Sequence, residues 1–396
     1  MSGQNALMEV SDSTFTSMDV FWVGDCGVEY WTQQFWSTTN AVFRAANSDI
    51  AANVFVMRGV DGLTDIDGGT FAAFGAFGVL QSGNVFKIHN GGRMNTCTWE
   101  GLVYGASGAS DNTFTVSGDG TYWDYGFELW SNNSGVVLGA ISDSGGDVAG
   151  NRIVIEDGAE IKIGYLVAGN LNGYTAVDSK TEANRFEIRG AKATMPYGLT
   201  VGRGWFSGIS VPGLSRDNGV FVGGMGGKSG LLDMLNGNIS IGFADNWSDF
   251  ARIEDNWFEA AAGGTVTNVN KLLVGQNGVA FITGNSVRLS GGAVWCAEME
   301  IAPSNGFTPV VSADGNATGC VNVSGMAKFA NPSHVWPVAE KGAPAGKHLI
   351  LKAGTLTDVG NFQLAPGTDT SMWKLIHDDN SVWLRYSHPA TIVVVR

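Results

Sequence analysis

Apolar residues recur at alternate positions in short runs along this chain, each run led by Asn and closed by a small-residue turn. Residues 151–170 read NRIVIEDGAEIKIGYLVAGN, and residues 184–203 read NRFEIRGAKATMPYGLTVGR, nearly the same phrase. In an extended strand, residues two and four places after the Asn point to one face. Asn followed at those two places by apolar residues occurs at Asn53 (Phe55, Met57), Asn84 (Phe86, Ile88), Asn112 (Phe114, Val116) and Asn151 (Ile153, Ile155). It continues at Asn184 (Phe186, Ile188), Asn218 (Val220, Val222) and Asn277 (Val279, Phe281), with Asp249 (Ala251, Ile253) standing in for Asn between the last two.

The intervals between these anchors are 31, 28, 39, 33, 34, 31 and 28 residues, which total 224 in seven steps, a mean of 32. Most units close on a second apolar run ending in Gly: WVG at 22–24, VYG at 103–105, VLG at 137–139, VAG at 167–169, TVG at 200–202, SIG at 240–242 and LVG at 273–275. The opening unit, NALMEV from Asn5, shifts its apolar positions as a bulge would. A fixed period of this length signals stacked supersecondary units, because a unit with two or three short strands cannot bury its own apolar face. The spacing therefore predicts an all-β chain, a right-handed parallel β-helix of roughly ten coils over residues 1–330, with inward Phe, Ile and Val in continuous files. Asn is expected to take the left-handed turn and to hydrogen-bond along the column, and the closing Gly to supply positive φ at a corner. A β-sandwich array would need turn signals every 8–12 residues without the longer register.

Residues 331–396 differ. WKLIH and SVWLRYS flank Asp378-Asp379-Asn380, which predicts a hairpin and a terminal cap of strands. TIVVVR, containing Ile392, Val393, Val394 and Val395, is the most β-prone segment and a hazard if left unpaired.

Composition supports this picture: 57 Gly against 9 Pro, with little amphipathic helical periodicity. A formal net charge of −14, from 23 basic and 37 acidic residues, argues against nucleic acid as a partner. No run of about 20 apolar residues is present, so no membrane-spanning helix is expected, and no signal peptide is visible; the start of the first unit at Asn5 suggests a processed or trimmed end. Four cysteines are too few for a disulfide framework; Cys296 and Cys320, 24 residues apart, could meet in adjacent coils or be two small buried hydrophobes.

The Asn-led strands followed by DGA or RGA, the recurring LxVG, and the C-terminal LAPGTDTSMWKL and VWLRY resemble the large secreted β-solenoid repeat proteins whose coils are similar to autotransporter passengers. The resemblance covers nearly the whole chain. It implies an extracellular surface protein with no catalytic residues to carry over, and no translocator barrel accompanies it.

Enzymatic β-helices need facing carboxylates, for which Glu156, Asp157, Glu187, Glu254 and Asp255 are the candidates; the arginines flanking Glu187 favour a solvated face. HDD at 377–379 falls at the expected hairpin tip, the five histidines lack metal-ligand spacing, and DIDGG at 65–69 is an incomplete calcium loop, the one place where Ca²⁺ is considered; no other cofactor is expected. The Gly-rich GGMGGKSG at 223–230 is expected to be a corner rather than a phosphate loop. Aromatics in the insertions, Trp31, Trp36, Trp123, Trp205 and Phe206, are expected on the outside as an interface. These readings favour a non-enzymatic protein whose partner is itself, assembled head to tail through Ile392–Val395, over a polysaccharide lyase or glycosidase, or an adhesin for cell-surface glycans.

Overall fold

The computed structural model describes residues 5–23, 39–57, 59–79, 81–96, 102–104, 108–124, 135–141, 146–172, 179–205, 213–244, 251–276, 281–314 and 318–388. One coil shows how the sequence makes a rung. Asn151 precedes the strand Arg152–Glu156, and Asp157 and Gly158 turn the corner at φ 53° and 86°. Glu160–Lys162 and Tyr165–Asn172 form a second wall, Lys180–Glu182 a third, and Asn184 begins the next circuit. Each strand pairs in parallel with its equivalent: Arg152–Glu156 lies in register between Thr113–Ser117 and Arg185–Arg189. The chain is a right-handed parallel β-solenoid.

Three sheets build the walls. The Asn-led sheet runs through thirteen successive strands from Leu7–Ser11 to Phe362–Leu364; a 19-stranded sheet forms the second wall, and a five-stranded sheet from Val148–Ala149 to Phe281–Thr283 covers part of the third. Eleven of these rungs lie before residue 330, against the roughly ten expected there, and the circuit length varies from 20 residues between Asn285 and Asn305 to 39 between Asn112 and Asn151. At the parallel-strand spacing the thirteen rungs span about 58 Å. Parallel pairing also continues past residue 330, through Ser333–Val335 to Phe362–Leu364, so the solenoid extends into the segment expected to be a separate cap.

The interior is a set of files. Phe86, Phe114, Ile153, Phe186, Val220, Phe258, Val287 and Phe307 are consecutive register partners, all fully buried. Alternation within each five-residue strand puts these inside and the intervening residues outside. Toward the N-terminal end, rings fill the column: Phe15, Phe21, Phe55, Phe71, Phe86, Phe114 and Trp123 follow one another with centroids 4.8–5.6 Å apart.

At the other end the hairpin forms as expected. Trp373–His377 and Ser381–Tyr386 pair antiparallel, and Ser381–Tyr386 also lies antiparallel on Gly346–Thr357, ending the parallel order of that wall. At its tip the Asn380 backbone N–H donates to Asp378 Oδ1 at 3.1 Å, which holds that carboxyl below the usual carboxylate range. Among the described residues no helix is long and apolar enough to cross a membrane.

Candidate functional site

The Asn residues form a buried polar seam. Asn112 donates from its backbone N–H and from Nδ2 to Asn151 Oδ1 at 3.2 and 2.9 Å, and the same pair of bonds links Asn151 to Asn184, Asn184 to Asn218, and Asn218 to Asn256. It continues from Asn256 to Asn285 and from Asn285 to Asn305. At the top, Asn84 N–H donates to Asn112 Oδ1, and Gly62 N–H to Asn84 Oδ1. Remaining Nδ2 protons reach backbone carbonyls or hydroxyls, as Asn151 does to Ala109 O at 3.0 Å and Asn184 to Thr181 Oγ1 at 3.0 Å. A buried amide costs free energy unless satisfied, so a continuous seam fixes the register of one coil on the next.

The closing glycines belong to the same seam. Gly139, Gly169, Gly202, Gly242 and Gly275 sit at φ 70–74°, and a Cβ on each would come within 2.2–2.5 Å of the amide nitrogen of Asn184, Asn218, Asn256, Asn285 and Asn305 respectively. Absence of a side chain there is what admits the amide. The left-handed conformation expected of Asn belongs instead to the residue before it: Gly83, Asp111, Gly150, Ala183, Asp217, Asp255, Gly284 and Ser304 all have positive φ.

Of the expected anchors, Asn84, Asn112, Asn151, Asn184 and Asn218 lie in this seam. Asn53 does not; it is exposed within Asp49–Met57, at a register shift. Asp249 and Asn277 lie outside the described residues, and the seam passes through Asn256, Asn285 and Asn305, which carry the same pattern but were displaced by adherence to a 32-residue period.

Trp123 is not an external anchor: it is fully buried, donates from Nε1 to Thr96 Oγ1 at 3.0 Å, and ends the ring stack. Trp205 ends the strand Gly198–Trp205, while Trp31, Trp36, Phe206 and Ile392, Val393, Val394 and Val395 lie outside the described residues.

Three of the five candidate carboxylates, Glu187, Asp157 and Glu254, are held in ion pairs. Glu187 is buried beneath Arg152 and Arg189, at 2.8 and 2.5 Å. Asp157 accepts from Lys228 Nζ at 2.9 Å, and the same ammonium reaches Asp119, so the Gly-rich corner ties down two lower coils. Glu254 pairs with Arg252 at 2.7 Å. Asp65 lies 2.8 Å from His89 Nε2, and Asp67 Oδ1 accepts from Asn90 Nδ2 at 2.7 Å; no group of three His, Cys, Asp or Glu among the described residues is arranged to hold a metal. Cys296 and Cys320 are both free: Cys320 faces Ala293 and Cys296 faces Val323, and burial pushes their thiols up to about 12 and about 11.

Two outer features have binding geometry. On the Asn-led sheet, Trp257 lies between the guanidinium groups of Arg288 (4.4 Å) and Arg185 (4.8 Å) and donates from Nε1 to Asp217 Oδ1 at 3.0 Å. Beside it, Asp255, Glu259, Arg288 and Trp336 line a cleft of about 530 Å³. Burial, then Glu254, raises the Asp255 carboxyl, and burial lowers Arg288. The second feature is a groove of about 600 Å³ on the long-stranded wall, with Trp295 on its surface. Comparison with protein-family models, curated proteins and solved structures found no match for this chain.

Proposed function

We propose that this chain is a non-enzymatic structural protein of an extracellular surface, a solenoid that associates end to end with further copies of itself. The carrying observation is the condition of the coil formed by Leu7–Ser11 and Thr14–Val23. Its inward residues Met8, Val10 and Phe15 are only partly buried, whereas their register partners one rung on, Phe43, Ala45 and Ile50, are 0%, 2% and 1% exposed. Leu7 and Met18 on the same coil are exposed apolar residues. One more rung laid on this face would complete the burial and pair a row of backbone groups.

The β-prone segment containing Ile392–Val395 is the strand proposed to supply that rung from another copy, since Ser381–Tyr386 is already committed within its own chain. Support for a non-catalytic role comes from the engagement of Glu187, Glu254 and Asp157 in ion pairs. Light scattering over a concentration series, with negative-stain microscopy, tests the reading. Growing rods are expected for the intact chain, and short species for Val10→Asp and for a chain lacking residues 390–396. Monomers at every concentration would overturn it.

A further inference from the structure

Four consecutive long strands slip in register against one another within a few residues of Cys296. Gly264–Gln276, Ala293–Ile301, Cys320–Phe329 and Gly346–Thr357 each change register with their neighbour between Val266 and Val269, Cys296 and Met299, or Val323 and Met326. An extra residue in one strand bends it and increases its twist. Stacked in consecutive coils, these irregularities fold the wall into a groove along the solenoid axis. Trp295, the single residue opposite Thr267 and Asn268 at the first bulge, is left 52% exposed. Asn322 follows Trp295 in the next rung and Lys352 follows Asn322, so the three form an axial row about 4.8 Å apart. Asn236, Asn268, Ser324 and Asn380 add to the polar lining.

We propose that this groove binds a neutral glycan strand lying along the solenoid axis. An exposed indole gives the apolar face of a pyranose ring a flat surface to cover. The side-chain amides of Asn236 and Asn322 and the Ser324 hydroxyl offer both donors and acceptors, which sugar hydroxyls require, while Nδ2 of Asn268 donates to Asp233 Oδ1 and Nδ2 of Asn380 to the Ala353 and Gly354 carbonyls. Volume and composition match a site with an apolar platform and a few convergent polar groups. Charge sets the class of ligand. Among the described residues the lining has no carboxylate, so it does not suit a cation, and Lys352 is its one charged group in a chain of net charge −14, which disfavours a polyanion. Binding in the groove does not require end-to-end association, and dilute monomer suffices to test it.

Affinity electrophoresis through gels containing a soluble β-glucan, a galactomannan, a xylan or polygalacturonate gives the readout. At least one neutral polysaccharide is expected to retard the wild-type chain, and polygalacturonate is not. Trp295→Ala is expected to weaken that retardation by about tenfold, as loss of a central aromatic anchor does. Asn322→Leu is expected to weaken it without changing the urea unfolding midpoint, and Phe281→Ala, exposed on another wall, to leave it intact. Equal retardation of Trp295→Ala and wild type, retardation by polygalacturonate alone, or none by any of the four overturns the proposal.

Discussion

The coils before Asn84 and those from Asn84 to Asn305 are the same fold held in register by different means. In the earlier coils the seam position is Ala41 or Gly62, which offer no side-chain amide, and Phe21, Phe55, Phe71 and Phe86 interlock along the axis. In the later coils the core shifts toward Ile, Val, Leu and Ala, and the amide seam runs without a break. Aliphatic side chains of similar size would fit several neighbouring registers, and a one-residue slip would turn them outward. A directional, buried hydrogen-bond row forbids the slip, and offset rings do so by shape. The chain passes from one device to the other between Asn84 and Trp123, where the ring stack and the amide seam overlap.

Asn184→Leu tests the amide region most severely. It strips the acceptor from two donors of Asn151 and the Nδ2 donor from Asn218 Oδ1, which keeps only the backbone N–H of residue 184, and should cost about 3–6 kcal/mol in urea unfolding. Phe55→Ala is the counterpart in the aromatic region, expected to cost about 3–5 kcal/mol. Hydrogen exchange should place its loss of protection before residue 86, and loss spread evenly along the chain would erase the distinction. A subtler probe is the pair Gly169→Ala and Asn218→Ala. Because the added Cβ would sit 2.2 Å from Asn218 Nδ2, the double variant should be less damaged than the two single costs predict, with a coupling of about 1–3 kcal/mol; strict additivity would detach the glycine from the seam.

The smallest effect concerns the last coils, beyond the end of the amide seam at Asn305, where Phe362 packs on Phe307 and Phe329 at 5.5 and 4.7 Å. Burial lowers the pKa of His334 and of His348, and one ring nitrogen of each is buried without a partner. Above the unfolded-state value of about 6.5 both states are neutral and stability is unaffected. As pH falls below it, the unfolded chain takes up protons that the folded coils resist, so stability declines. The decline should be modest because both side chains are partly exposed. Exchange at residues 333–357 should rise before that of the seam on acidification, and simultaneous loosening of the whole column would contradict the assignment.

Much of this was legible in the chain. Asn151 and Asn184 introduce nearly identical phrases, and alternation alone places Ile153 and Phe186 in one file, as the register confirms. Asn256, Asn285 and Asn305 were legible locally but hidden by an assumed period, since loop length at a corner is free to vary while strand spacing is not. Contact between Gly169 and Asn218 could not be read, because it joins residues more than one circuit apart. Trp123 was misplaced because an aromatic cluster looks the same whether its rings face in or out. Trp295 escaped notice within AVWCAE, where alternation reads as an ordinary strand and the stacked bulges that expose it leave no residue signature.

Register between neighbouring coils is the quantity on which all of this depends, and a pair of cysteines measures it directly. In a chain with its native thiols replaced, Lys87→Cys with Thr115→Cys places two outward residues at the same rung position, about 4.8 Å apart at the Cα atoms. Lys87→Cys with Thr113→Cys sets them on a diagonal of about 8 Å. Mild oxidation or a short thiol crosslinker should join the first pair rapidly and the second poorly. Preferential joining of the diagonal pair, or of neither, would contradict the parallel in-register stack.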